Sequence, residues 1–365
     1  MSPLNRVLIA GGGIVGLTAA IALRRTGTDV VVFEQAAEIR AIGASIGLWE
    51  NALRAFDFLG VGDDVRRIGR PAEMVFHDPS GHLLTTPEFG PEDHSYLLVG
   101  RPQLNDLLAD AVGRERIRLL HRVEAFDESA DGVTIHLSNG TTETGDLLIG
   151  ADGVFSAVRG QLAPEARVRE HIGHLSWRAI LPQTPTRIER DVLVIGHDRC
   201  RGGYLRRPGE GAFWLVAQFE SPPVAESARA ECLLRAARLD DGGWNSQLSE
   251  LIAATPEDSI LFNQTMIVPP PDRWASRRVV LIGDAAHGMS PHVTAGASLG
   301  VQDPVVLVRC LDEAPELAGA LAAYEADRSP HYAEAQRLSA AVERYATPAE
   351  FAHSYAAFSH WMIRS

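Results

Sequence analysis

Apolar positions along this chain of 365 residues follow two rhythms. Unbroken runs at Val7 to Ala10, Val30 to Phe33, Leu147 to Ile149 and Val279 to Ile282 suit strands buried on both faces, as in a parallel sheet. Alternating segments at 174–181, 191–196, 201–207 and 211–219, which carry Trp177, Tyr204, Phe213 and Trp214, suit a separate antiparallel sheet. Shorter alternation from Pro71 to Leu98, around Pro79-Ser80-Gly81, predicts a hairpin outside the parallel sheet. Segments 117–120, 122–128, 132–138 and 141–149 predict more strands with Asn139-Gly140 as a hairpin turn, and 259–262 and 264–268 add two.

Helical spacing takes over between these runs. It predicts helices from the glycines after Ala10 toward Gly27, over 51–59 up to Gly60, over 63–68, near 225–238 and near 244–254. Pro102 suits a first helical turn, with Leu104, Leu107, Leu108 and Ala111 as its buried stripe. From Leu311 to Ser365 the chain reads as helical, broken at Ser329-Pro330. Its last helix carries the stripe Phe351, Tyr355, Phe358, Trp361 and Met362, expected to dock against the rest of the chain, with closure of the substrate cavity or a dimer contact as the alternatives.

The ends of the buried runs carry the chemistry. After Ala10 comes Gly11-x-Gly13-x-x-Gly16, with Val15 inside it, opening a helix. Gly11 makes the tight turn, Gly13 lets backbone approach a pyrophosphate, and Gly16 lets helix and strand pack closely. The helix N-terminus offers free N–H groups and a positive dipole end to phosphates. Glu34, which closes the second run, is placed to accept from ribose hydroxyls, which favours FAD or NAD over NADP as the nucleotide held. The third run delivers Asp152-Gly153 and a short helix with Arg159. The fourth ends at Gly283-Asp284, followed by His287, a proline-containing loop and a helix opening near Gly296, Ala297 and Ser298. Arg40 and Arg101 are candidate phosphate or ribityl contacts, and the small residues Gly43, Ala44, Ser45 and Gly47 suit a loop against a flat ligand.

Composition narrows the class. Thirty-four basic against 47 acidic residues leave a net charge of −13, so a nucleic acid partner is not expected. Three widely spaced cysteines, Cys200, Cys232 and Cys310, fit no metal spacing and read as reduced thiols of a cytoplasmic protein. The one long apolar stretch, Val7 to Leu23, is interrupted by glycines and threonines and has its own motif, which argues against a signal peptide or membrane span.

Together GGGIVG with Glu34, GADGVFSAVR and LIGDAAHGMSP resemble the three motifs of the group A FAD-dependent monooxygenases, the aromatic-ring hydroxylases, in their order and over nearly the whole chain. The resemblance implies an α/β chain: a Rossmann-like, GR2-type FAD-binding domain with an inserted antiparallel sheet domain for substrate and C-terminal helices. Residues 1–70, 99–166 and 279–365 would form the first, and 71–98 and 167–278 the second. It further implies that Glu34 and Gln35 hold the adenosine ribose, that Ser45, Arg101 and the backbone near Val123 line FAD, and that Asp152 and Arg159 serve its pyrophosphate and the docking of NAD(P)H. Asp284 would hold the ribityl chain, Pro291 would face the flavin, and residues 294 to 298 would bind its pyrimidine edge.

The implied reaction hydroxylates a small aromatic or heteroaromatic substrate with NADH or NADPH and O2 through a flavin C4a-hydroperoxide. A flavin-dependent reductase and a non-catalytic flavin-binding protein are the alternatives. The expected assembly is a monomer or homodimer. Candidate substrate groups are Arg178 and Arg201 as cations, Trp214 for stacking, Tyr204 as a hydrogen-bonding phenol and His292 as an imidazole beside Pro291; His287 is expected to pack behind the Gly-Asp turn. Two departures from the family pattern stand out. Val293 occupies a position where a glycine is usual and is expected to narrow the loop by the flavin, and Pro304 removes an N–H from the following helix.

Overall fold

Five parallel strands stand side by side in the order Val279–Leu281, Leu147–Gly150, Arg6–Ala10, Asp29–Phe33 and Ile117–Arg118. The computed structural model describes residues 4–39, 45–207 and 211–364. The first three strands are buried almost completely, which is why their sequences are continuous apolar runs and not alternations. Register brings the strand ends level. Ala10 lies opposite both Gly150 and Phe33, and Gly150 lies opposite Leu281, so the turns beginning at Gly11, Ala151, Ile282 and Glu34 leave one sheet edge together.

Helix Ile14–Arg25 packs on this sheet between helices Arg101–Val112 and Gly296–Glu313. Close approach sets its sequence: a Cβ on Gly16 would lie 2.0 Å from Gly11 O, and one on Gly11, whose φ is +104°, would lie 2.3 Å from Ala151 O. Val15 is a packing residue, wedged against Gly283 and Gly300.

A second five-stranded sheet is antiparallel throughout, in the order Val192–Ile195, Cys200–Arg206, Ala212–Phe219, Arg169–Leu181 and Leu261–Ile267. The last is one strand where the sequence suggests two. Helices Ala228–Ala236 and Ser246–Ala254 cover one of its faces, and Trp177, Tyr204, Trp214 and Val216 are buried there with Cys232, Leu251 and Ile252. The opposite face contributes Ile195 and Phe219 to the large core that surrounds the parallel sheet.

The region 71–98 divides between neighbours. Strands Gly69–Glu73 and Ser95–Gly100 join Ser45–Leu48 in a three-stranded sheet, while His77 bridges Leu83 and, across to the antiparallel sheet, Val194. Strands Val123–Glu128, Val133–Leu137 and Thr142–Gly145 form a fourth sheet. The expected break at Ser329-Pro330 is absent, because helix Leu317–Glu343 runs straight through it. Pro330 and Ala326, whose carbonyl loses its usual N–H, are exposed to water, and the inner face holds the helix through Tyr324, Arg328 and Tyr332. No described helix is long and apolar enough to cross a membrane.

Candidate cofactor and substrate site

The sheet edge opens into a cavity of about 530 Å3 lined by Gly11, Gly13, Glu34, Gln35, Val123 and Asp152. Glu34 turns back over the glycine turn: Oε2 accepts from the Gly12 N–H and Oε1 from the Ala36 N–H, both at 2.8 Å. Nothing stands within 4 Å of a Cβ placed on Gly13, so the space before the helix N-terminus is open. Asp152 Oδ2 accepts from the Ala157 and Val158 N–H groups, whereas Oδ1 is buried with no hydrogen-bond partner among the described residues. Burial raises its pKa against those N–H groups. Open space before free N–H groups is what a dinucleotide diphosphate needs, and the unpartnered carboxylate oxygen is an acceptor suited to a sugar hydroxyl of the same cofactor. Arg122 and the exposed Phe155 also line this cavity; sequence reasoning missed both, although Arg122 adjoins Val123.

Next along the edge, Gly283 adopts φ +57° and presents Asp284 to solvent. A Cβ on Gly296 would lie 3.7 Å from Asp284 Oδ1, so this carboxylate stands over the start of helix Gly296–Glu313. The N–H groups of Gly296, Ala297 and Ser298 precede the first intrahelical bond, made by Leu299 to Ala295 O, and the positive end of the helix dipole points the same way. Behind the turn, His287 Nε2 lies 2.6 Å from Asp303 Oδ2, as expected of a structural histidine. Arg101 begins its helix with surface still open, yet enough of its guanidinium is withdrawn from water to lower its pKa; Asp284 opposes that fall and Arg178 adds to it. Ser45 is exposed at the strand end paired with Gly100.

The sheet facing this edge sorts the candidate substrate residues by parity, since neighbouring residues in a strand point to opposite faces. Tyr204 pairs with Trp214 on the helix-covered face, and both are buried in the second core, where Trp214 Nε1 donates to Thr255 Oγ1 at 2.8 Å. Neither is placed to meet substrate. Arg178 pairs with Leu215 and Leu261, and Leu215 with Gly203, all on the other face. Arg201 shares that face but is already engaged: Nη1 donates to His292 O at 3.1 Å, and its guanidinium carbon lies 5.4 Å from the Phe219 ring and 5.6 Å from that of Phe351.

Several expectations need correction. His292 follows the exposed Pro291 in a short 3-10 turn, and the step of about 120° per residue sends its ring inward. There Nδ1 lies 3.0 Å from Glu343 Oε1 and 2.8 Å from Ser290 Oγ, while Nε2 lies 3.0 Å from the Ser339 carbonyl oxygen and 3.1 Å from Ser339 Oγ. Burial pulls its pKa down to about 4 despite Glu343. Arg159 is buried too, and its guanidinium donates to the carbonyls of Ala166, Ala285 and Val154, which leaves it a brace between the Asp152 and Asp284 turns and not a phosphate ligand. Val293 packs in the core; the left-handed residue of the loop is Thr294, at φ +54°. The Ser298 hydroxyl accepts the Trp49 backbone N–H at 3.1 Å and the residue is buried, so its side chain is spent on packing and not on the cleft. Arg40 lies outside the described residues.

Three separated turns at one parallel-sheet edge, beside a second sheet, define a flavoprotein of the glutathione-reductase-like type. The family described as "FAD binding domain" matches residues 5–339, and the chain belongs to the group A FAD-dependent monooxygenases. It is 35% identical over 333 residues to the aurachin C monooxygenase/isomerase of Stigmatella aurantiaca, covering 88% of this chain and 84% of that protein. It is 30% identical to an FAD-dependent urate hydroxylase of Klebsiella pneumoniae, over 88% and 85% of the two chains. The crystal structure of Klebsiella pneumoniae HpxO complexed with FAD and uric acid superposes with a TM-score of 0.78 at 25% identity, over 98% of this chain and 93% of the other.

Proposed function

We propose that this chain hydroxylates a small heteroaromatic substrate, consuming NADH or NADPH and O2. The observation that carries this reading is the face of the antiparallel sheet away from its helices, where Arg178 stands within electrostatic reach of Arg101, the residue that Asp284 reaches from the cofactor edge. Bound there, FAD supplies the hydride acceptance and oxygen activation that no side chain provides. The chain's own residues bind and polarise. Glu34, Asp152 and the free N–H groups at the Gly11–Gly16 turn hold the nucleotide, and Asp284 holds the polyol chain.

With the cofactor bound, the N–H groups at the start of helix Gly296–Glu313 would stabilise negative charge that develops on its ring. Arg178 favours the ionised form of a ring hydroxyl, which makes that ring electron-rich. Leu193, Gly203 and Leu215, on the same face, keep water from the reacting atoms. The named activities of the relatives, on urate and aurachin, support a fused nitrogen heterocycle as the substrate class.

The test is FAD-loaded protein screened with azaheterocycles and phenols for stimulated NADH and NADPH oxidation under 18O2. One 18O atom in the product is expected. Nicotinamide oxidation without oxygen consumption would instead establish a reductase, and no stimulated oxidation across the panel would favour a flavin-binding protein without turnover.

A further inference from the structure

Thr294 holds a backbone conformation, φ +54° and ψ 26°, that a β-branched residue rarely adopts and that glycine adopts freely. It lies between Pro291 and the three free N–H groups at Gly296 to Ser298, in the middle of the loop at the cofactor edge. Its hydroxyl lies 2.8 Å from Val293 O, to which it donates, and 3.2 Å from the Tyr355 hydroxyl, which therefore donates to Thr294 Oγ1. Tyr355 is fully buried, and Thr294 Oγ1 is the partner the structure gives its hydroxyl. The tyrosine ring is fixed by Phe76 at 5.1 Å, Phe351 at 5.9 Å and Trp49 at 6.1 Å between centroids. Trp49, in turn, gives its backbone N–H to Ser298 Oγ. Tyr355 and the backbone of its neighbour Trp49 thus hold Thr294 and Ser298, on either side of Gly296 and Ala297.

We infer that Tyr355 is a positioning residue for the cofactor: through Thr294 it holds the 294–298 segment in the strained conformation that aims its N–H groups at the flavin. Strain of this kind persists only where the surroundings impose it. Tyr355 sits on helix Pro348–Arg364, beyond residue 339 where the family match ends. The aromatic stripe of that helix docks, as expected, and in docking it reaches the cofactor loop.

Tyr355→Phe keeps the ring in its cluster and removes only the donor, and Thr294→Ala removes the acceptor from an exposed position while keeping the strain. Each is expected to weaken FAD binding to the apoprotein about fivefold, the equivalent of the left-handed penalty of one residue. Each should also make the flavin midpoint potential more negative, because the reduced, anionic ring loses its aligned donors. The double variant should equal either single one. In a Thr294→Gly background, where the left-handed conformation is free of strain, Tyr355→Phe should change neither FAD affinity nor potential. The inference is overturned if both single variants bind FAD within twofold of the parent at unchanged potential, or if Tyr355→Phe has its full effect in the Thr294→Gly background.

Discussion

The Gly283 N–H donates to Asp303 Oδ2 at 2.8 Å, tying the turn that ends a buried strand to the middle of helix Gly296–Glu313. The same carboxylate receives Arg328 Nε at 2.8 Å on its other oxygen and lies against His287. Burial pushes the Asp303 carboxyl up, but His287 and Arg328 outweigh it and hold the group below its ordinary value.

Asp303→Ala therefore strips a buried arginine of its partner and frees the Gly283 turn. A loss of about 3–5 kcal/mol in stability is expected, read from urea unfolding. Weaker FAD binding in the fraction that folds should accompany it, read by fluorescence titration.

Asp284 has no such structural duty, being exposed over the helix start. Asp284→Ala is expected to weaken FAD binding about 10- to 100-fold, the range of one hydrogen bond to a charged group, while the apoprotein melts as the parent does. An unchanged FAD affinity would remove Asp284 from the cofactor site.

Acid should act through His292, whose ring faces Glu343, Ser290, Ser339, His174 and the Arg201 guanidinium. Its folded pKa of about 4 lies below the ordinary 6.5, so the unfolded chain binds the extra proton between these values. Stability is fully present above pH 6.5 and falls as the pH drops toward 4, by about 3 kcal/mol from this group. Urea midpoints from pH 7.5 to 4.5 should fall less steeply in His292→Gln. Buried His174, also held well below its ordinary value by burial and Arg201, leaves a residual slope.

The two faces of the antiparallel sheet predict opposite phenotypes. Arg178→Ala is expected to raise KM for an anionic substrate about tenfold or more with little change in melting temperature. Trp214→Ala should cost about 3–5 kcal/mol of stability and leave KM unmoved. A raised KM in Trp214→Ala at full folding would put the substrate on the wrong side of the sheet.

Much of the cofactor edge was legible because each buried strand ends on a glycine or an acid, and an unbroken apolar run fixes the strand type without knowledge of its neighbours. The substrate face was not. Arg201 and Tyr204 are three residues apart in one strand, so they cannot share a face, and only the helices that cover Tyr204 decide which face is closed. His292 was misplaced because adjacency to Pro291 in sequence becomes opposition in a 3-10 turn. Thr294 fell within the 294–298 segment, but its left-handed backbone left no trace, since threonine carries none of the signals of that conformation. Arg159 resembled an anion ligand until the three carbonyls around it came into view.

The order of strands in the parallel sheet also has a bearing on biosynthesis. Its central strand is made first, its neighbour ends at Gly150, and the outer one ends at Leu281, with Asp303 needed to pin the turn beyond it. A nascent chain on the ribosome therefore has nothing complete to offer FAD until the residues through Asp303 have emerged, and flavin loading follows the synthesis of all three turns.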